Sequence, residues 1–171
     1  NPSLHFASII VCALVLYLPT LSYPLTYYDD ATLIDNIRQF INSKHPFTEI
    51  FSQSVFGTST SGGDYFYRPM LTLSLYVDAI FSNQTLTGFH FTNVLIHLSA
   101  TCLLYLFMVK MKFNRVVSWA CSLFFVVHPA LMQAVAWIPG RNDSLVTLFA
   151  LASFLFLIKY LETGKLLQNL S

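Results

Sequence analysis

Charged residues are scarce in this sequence. Its 171 residues include nine Lys or Arg and eight Asp or Glu, 10% of the chain, whereas soluble globular proteins carry roughly 25%. The formal net charge of +1 excludes a nucleic-acid-binding protein that acts through bulk positive charge. The three cysteines lie inside apolar runs and show no zinc-ligand spacing, so we predict neither a disulfide framework nor a structural metal site.

Apolar residues make up 55% of the chain, and the mean hydropathy is +0.59. Four apolar stretches, at about residues 4–21, 89–111, 113–127 and 145–161, approach the roughly 20 residues needed to cross a bilayer. The sequence therefore predicts an all-α polytopic membrane protein with about four transmembrane helices.

A long connection, about residues 24–88, separates the first two spans. It holds two segments with helical apolar spacing, about residues 30–42 and 70–81. Both segments are too short or too polar to span a bilayer, so we expect two helices that lie in the interface plane.

The distribution of charge predicts the orientation. Lys110, Lys112 and Arg115 lie between the second and third spans, and Lys159 and Lys165 follow the fourth, while six of the eight acids lie in the long connection. By the positive-inside rule the basic turns face the cytoplasm. The long loop and the connection at residues 128–143 then share the extracytoplasmic or lumenal side.

Asp29 and Asp30 are the strongest candidates for chemistry, because they stand just after the first span. One interpretation is structural: an Asp at this position caps the helix that follows. The functional interpretation is that one carboxylate caps while the other acts as a general base. On the residues alone, these interpretations are about equally supported.

A second cluster, His128-Pro129 and Gly140-Arg141-Asn142-Asp143, flanks the connection between the third and fourth spans. In structural terms, Pro129 ends a helix, Gly140 forms a turn, and Asn142 or Asp143 caps the last span. In functional terms, Arg141 at the membrane boundary binds a phosphate, together with Arg68 of the long loop.

His90, Asn93, His97 and Thr101 form a polar stripe on the second span. Such a stripe faces other helices rather than lipid, and interhelical hydrogen bonding is its expected role rather than catalysis or proton relay.

Taken in order along the chain, these motifs resemble the amino-terminal part of the GT-C glycosyltransferases, nearest to the protein O-mannosyltransferase branch with tetratricopeptide repeats. The motifs are Asp29-Asp30, Tyr67-Arg68-Pro69, Gly88-Phe89-His90 with Asn93 and His97, and His128-Pro129 leading to Gly140-Arg141-Asn142-Asp143. The resemblance implies that residues 1–171 form the amino-terminal part of a GT-C-like membrane domain in a longer chain.

The resemblance also implies roles. Asp29 or Asp30 would be the catalytic base, with Asp29 slightly favoured as the leading acid of the pair. Arg141 and Arg68 would bind the donor phosphate, supported by His128, Asn142 and Asp143. No cofactor is expected, although the acids could also hold a divalent metal.

The expected function is transfer of a sugar, with mannose favoured, from a polyprenyl-phosphate donor to a hydroxyl acceptor such as protein Ser/Thr. The alternatives are transfer to a lipid or cell-wall polysaccharide and a non-catalytic membrane module or transporter fragment. The expected location is the plasma membrane or the endoplasmic reticulum membrane, in contact with membrane lipid and with no nucleic-acid partner.

Overall fold

The computed structural model describes residues 1–25, 29–42, 47–52, 54–55 and 66–168, and within these ranges it is helical without strands. The described residues form seven α-helices: α1 Pro2–Tyr17, α2 Asp29–Asn42, α3 Pro69–Phe81, α4 Leu86–Lys110, α5 Arg115–Val127, α6 Met132–Ala136 and α7 Arg141–Gln168. Short 3-10 turns cover Leu18–Ser22, Phe47–Phe51 and Pro129–Leu131. The all-α prediction is confirmed for this part of the chain.

Among the residues that the structure describes, three helical segments are each long and apolar enough to cross a membrane: Pro2–Ser22, Leu86–Lys110 and Arg141–Gly164. The predicted third span is a bent pair of helical segments, which is long and apolar enough to cross a membrane only when both segments are counted together. Helix α5 has 13 residues and is only about 20 Å long, and it is followed by Pro129–Ala136 at a bend of 55°. His128 and Pro129 cause this break, since proline cannot continue the hydrogen-bond ladder of the preceding helix.

Helix α4 is the centre of the bundle and packs against α1, α5 and α7. Its polar and small residues face inward, including His97, Ala100 and Thr101. In α7, by contrast, most side chains of the apolar stretch are exposed, as expected of a helix that meets lipid or further protein.

The two loop helices lie where the sequence predicts them. Helix α2 packs on α3, and α3 packs on α4 and α7. The end of the bundle that carries α2 and α3 is called the loop end below. One apolar cluster holds it together, with members from α2 (Leu33, Ile34, Ile37), α3 (Leu71, Leu75, Ala79), α4 (Phe89) and the α6–α7 connection (Ile138).

Helix α3 also presents an apolar face to the outside of the bundle. Met70, Val77, Ile80 and Phe81 are exposed, and Phe81 is 86% exposed. This arrangement fits a helix whose apolar side lies in the membrane interface.

Candidate active site

The acidic pair opens α2 at the loop end. Asp29 and Asp30 both lie in its first turn, where the unpaired backbone N–H groups favour negative charge. Because successive residues on a helix point about 100° apart, the two carboxylates have different surroundings. Asp29 is exposed, whereas Asp30 is 1% exposed.

The buried acid lies close to the polar stripe of α4. Asp30 is near enough to His90 for their charges to interact, and the ring centres of Tyr23 and His90 lie 6.5 Å apart with the two rings nearly perpendicular. His90 is 1% exposed. The upper end of the stripe therefore faces the acid-bearing helix.

Farther along α4, the stripe is buried in the bundle, as the sequence predicts. Asn93 donates to the carbonyl oxygens of Val135 at 3.0 Å and Trp137 at 3.2 Å, which closes the loop end of α6 onto α4. His97 stacks on the Phe125 ring at 5.3 Å. Thr101 donates to the backbone carbonyl of its own helix, at His97.

Arg141, predicted to bind donor phosphate, is the first residue of α7 and is fully buried. Its Nη2 donates to the Phe89 carbonyl oxygen at 2.7 Å and lies 2.6 Å from the Asp78 carboxylate. Its Nε donates to Asn93 Oδ1 at 2.5 Å, and its Nη1 donates to Ser74 Oγ at 3.2 Å. In this arrangement the guanidinium points into the protein, which does not favour direct contact with a lipid phosphate.

Asp78 was not among the predicted site residues, yet it is the acid that balances Arg141. It is 8% exposed and also accepts a hydrogen bond from Thr92 Oγ1 at 2.7 Å. Burial raises the pKa of the Asp78 carboxyl, and the adjacent Arg141 guanidinium and Thr92 hydroxyl act against that rise. The sequence does carry a clue to this role, since Asp78 shares a helical face with Leu71 and Leu75.

Arg68, the second predicted phosphate ligand, has a different environment. It precedes α3, is half-buried, and its guanidinium lies 5.6 Å from the centre of the Phe66 ring. Within the described part of the chain it has no acidic partner. Asp78 comes ten positions after Arg68, about 15 Å along the helix, and no described contact brings Arg68 and Arg141 together.

The supporting residues occupy the break between α5 and α7. His128 Nδ1 accepts from the Ala130 backbone N–H at 3.2 Å, so this side chain caps the turn after α5. Asn142 and Asp143 lie in the first turn of α7, where Asp143 is exposed. None of the three is in described contact with Asp29 or Asp30. Among the residues of known placement, no cluster of three or more His, Cys, Asp or Glu is positioned to hold a metal ion.

No family profile matches the sequence, and no solved structure matches it. The sequence does match several curated proteins. Protein O-mannosyl-transferase TMTC2 of Mus musculus and that of Homo sapiens are each 34% identical to this chain over 152 residues, which are 88% of this chain and 18% of the relative. A protein O-mannosyl-transferase of Caenorhabditis elegans is 29% identical over 161 residues, 90% of this chain and 23% of the relative.

The chain is homologous to the protein O-mannosyl-transferases. The resemblance inferred from its motifs is confirmed at this level. The chain spans about one fifth of the length of the O-mannosyl-transferases it matches, so the activity of a whole O-mannosyl-transferase enters below as a proposal.

Proposed function

We propose that this chain contributes the acceptor-activating part of a membrane glycosyltransferase that transfers mannose to Ser or Thr hydroxyls of proteins. The names of its relatives support the mannosyl group and the protein acceptor. The apolar helices support a donor held in the membrane, and we propose a polyprenyl-phosphate sugar. The loop end would face the lumen of the endoplasmic reticulum or the outside of the plasma membrane.

The observation on which the proposal depends is the different exposure of the two carboxylates of the acidic pair. Asp29 is open to solvent at the boundary of an apolar bundle, so an acceptor can reach it, whereas Asp30 is enclosed beside His90. We therefore keep Asp29 as the base and assign Asp30 to holding the first turn of α2 against α4.

In the proposed reaction the Asp29 carboxylate takes the proton of the acceptor hydroxyl. The acceptor oxygen bonds to the anomeric carbon, the bond from that carbon to the phosphate oxygen breaks, and the electron pair leaves with the lipid phosphate. The anomeric configuration is inverted. A positioned cation lowers the barrier because the leaving phosphate gains charge. Arg68 is the better candidate for that cation, since Arg141 is enclosed.

The test uses the whole protein in lipid nanodiscs, a polyprenyl-phosphate mannose donor and a Ser/Thr peptide acceptor. Asp29→Asn should lower turnover by about two to four orders of magnitude, the usual worth of a general base. Asp35→Asn, which changes another exposed acid on the same helix, is the matched control and should keep full turnover.

Further arms of the same assay separate the alternatives. Offering a lipid or polysaccharide acceptor, or a nucleotide sugar as donor, identifies the substrates. Transfer unaffected by Asn at both position 29 and position 30 would exclude the proposed mechanism. Loss of turnover with Asp30→Asn alone would move the base to Asp30.

A further inference from the structure

The buried pair of Asp78 and Arg141 joins three separate elements at one point. Arg141 is the first residue of α7, Asp78 and Ser74 belong to α3, and Asn93 and the Phe89 carbonyl belong to α4. Such a pair is a weak argument for stability, because desolvation of both charges offsets much of their attraction. It does fix geometry, since removal of either partner leaves the other charge buried without compensation.

The position of α3 in turn sets the position of the acidic pair. Leu33 and Ile34 of α2 are fully buried against the apolar residues of α3 in one cluster. These two residues follow Asp29 and Asp30 by one helical turn. Any shift of α3 on the spans is therefore passed to the two carboxylates through a packed core, which transmits displacement rather than absorbing it.

We propose that Asp78 and Arg141 are positioning residues that act as one unit, which fixes the acid-bearing helix α2 relative to the spans. This inference rests on the proposed transferase function. Arg141 then influences transfer through Asp78 and not through contact with donor phosphate.

Arg141 could bind the donor phosphate directly or position α2, and these two roles predict different effects of replacing Asp78. If Arg141 held the phosphate, its loss would raise the KM for donor, and removing the nearby negative charge of Asp78 would leave donor binding equal or tighter. If the two residues position α2, their separate losses should have the same effect. That effect should fall on kcat, because the donor contacts remain while the acceptor hydroxyl and base are misaligned, and a displacement of about 1 Å can cost about a hundredfold.

The experiment compares Asp78→Asn, Arg141→Met and the double variant in the whole protein. Asn keeps the shape of Asp78 and can still accept from Thr92. We expect each single change to lower kcat by about tenfold to a hundredfold with the donor KM unchanged within about twofold. The double variant should be no slower than the slower single variant, because residues acting as one unit are not additive.

The matched control breaks another acid–arginine pair of the same loop. Asp35 and Arg38 of α2 are 3.4 Å apart and exposed, and exposed pairs contribute little. Asp35→Asn should therefore leave kcat unchanged.

A distance measurement keeps the inference testable apart from catalysis. Spin labels at Thr32→Cys on α2 and Gln133→Cys on α6, both exposed positions, are placed in the whole protein without its native cysteines, which include Cys12, Cys102 and Cys121. We expect one narrow distance distribution in the parent, and a shifted or broadened one in Asp78→Asn and in Arg141→Met. Asp35→Asn should match the parent.

Each possible outcome supports or refutes the positioning role. If Arg141→Met raises the donor KM tenfold while Asp78→Asn changes neither kcat nor the distance, the positioning role is refuted and direct phosphate binding stands. If the single variants do not fold, the double variant decides, since it leaves no lone buried charge: recovery of folded protein supports the unit, and no recovery overturns it. If the parent transfers no sugar, the proposed function fails, and the distances still show whether the pair fixes α2.

Discussion

Asn93 offers the sharpest test of how the loop end is closed. Its side chain is fully buried and makes three hydrogen bonds, two as donor to the Val135 and Trp137 carbonyls and one as acceptor from Arg141 Nε. Replacement by Ala removes all three and leaves each partner without a hydrogen bond from position 93. The end of α6 then keeps only its apolar packing on α4, such as that of Val135 with Val94.

The expected loss of unfolding free energy in Asn93→Ala can be estimated from two known costs. Hydrogen bonds between membrane helices average about 0.6 kcal/mol and reach about 1.7, whereas leaving a buried group unsatisfied in a protein interior costs about 1–3 kcal/mol. Asn93 lies near the loop end, between these environments. We therefore expect Asn93→Ala to lower the free energy of unfolding by about 2–4 kcal/mol.

Two further variants separate the contributions. Asn93→Leu fills the space but makes no hydrogen bond, so it should lose nearly as much as Asn93→Ala if the polar contacts dominate. Asn93→Asp keeps an acceptor for Arg141 but sets a carboxylate against two carbonyl oxygens, so it should also destabilise. Ser99→Ala changes an exposed polar residue of the same helix and is the control.

Reversible unfolding of the whole protein in bicelles measures these differences. If Asn93→Ala lies within about 0.5 kcal/mol of Ser99→Ala, the usual spread of surface substitutions, the network does not hold α6 on α4. If Asn93→Leu restores stability while Asn93→Ala does not, the loss comes from a cavity and the hydrogen-bond argument fails.

Two other predictions concern the turn at Gly140 and the orientation of the protein in the membrane. Gly140→Ala should destabilise by about 1–3 kcal/mol, because the added Cβ would lie 2.3 Å from the backbone oxygen of Gln133. Gly164→Ala, whose Cβ would meet no atom within 4 Å, should be neutral or stabilising by up to about 1 kcal/mol, and equal losses at both positions would contradict this account. For orientation, an impermeant thiol reagent applied to sealed right-side-out vesicles should label Thr85→Cys and not Phe113→Cys in a background without native cysteines. The reverse pattern would overturn the proposed lumenal loop end.

Local sequence patterns predicted the helices well, because the formation of a helix depends mainly on residues that are close in sequence. The apolar runs gave α1, α4 and α7, and the amphipathic spacing gave α2 and α3 close to their observed bounds. The polar stripe of α4 was correctly assigned to the bundle interior, since the alternative is contact with lipid. The break at His128 and Pro129 was visible as a proline, but its bend of 55° depends on how α6 returns to α4.

The partners of Arg141 could not be predicted in the same way. In the sequence, Asp78 is one of six acidic residues in the long connection. Only the register of α3 against α7 brings its carboxylate to the Arg141 guanidinium. That register depends on the packing of Leu71 and Leu75 against α2, which periodicity does not specify. A terminal arginine at a membrane boundary therefore suggested a phosphate ligand, whereas the tertiary structure supplies a protein carboxylate.

The wide separation of the Asp78–Arg141 network along the chain has a consequence for biosynthesis. Ser74 and Arg141 are 67 residues apart, and at about 5–20 residues per second synthesis of that stretch takes roughly 3–13 s. During this interval α3, and then α4 once it has been made, lack the cation that their polar groups surround. The loop end can therefore adopt its final arrangement only when the start of α7 has emerged, and until then the nascent chain presents Asp78 and Asn93 without the arginine that joins them.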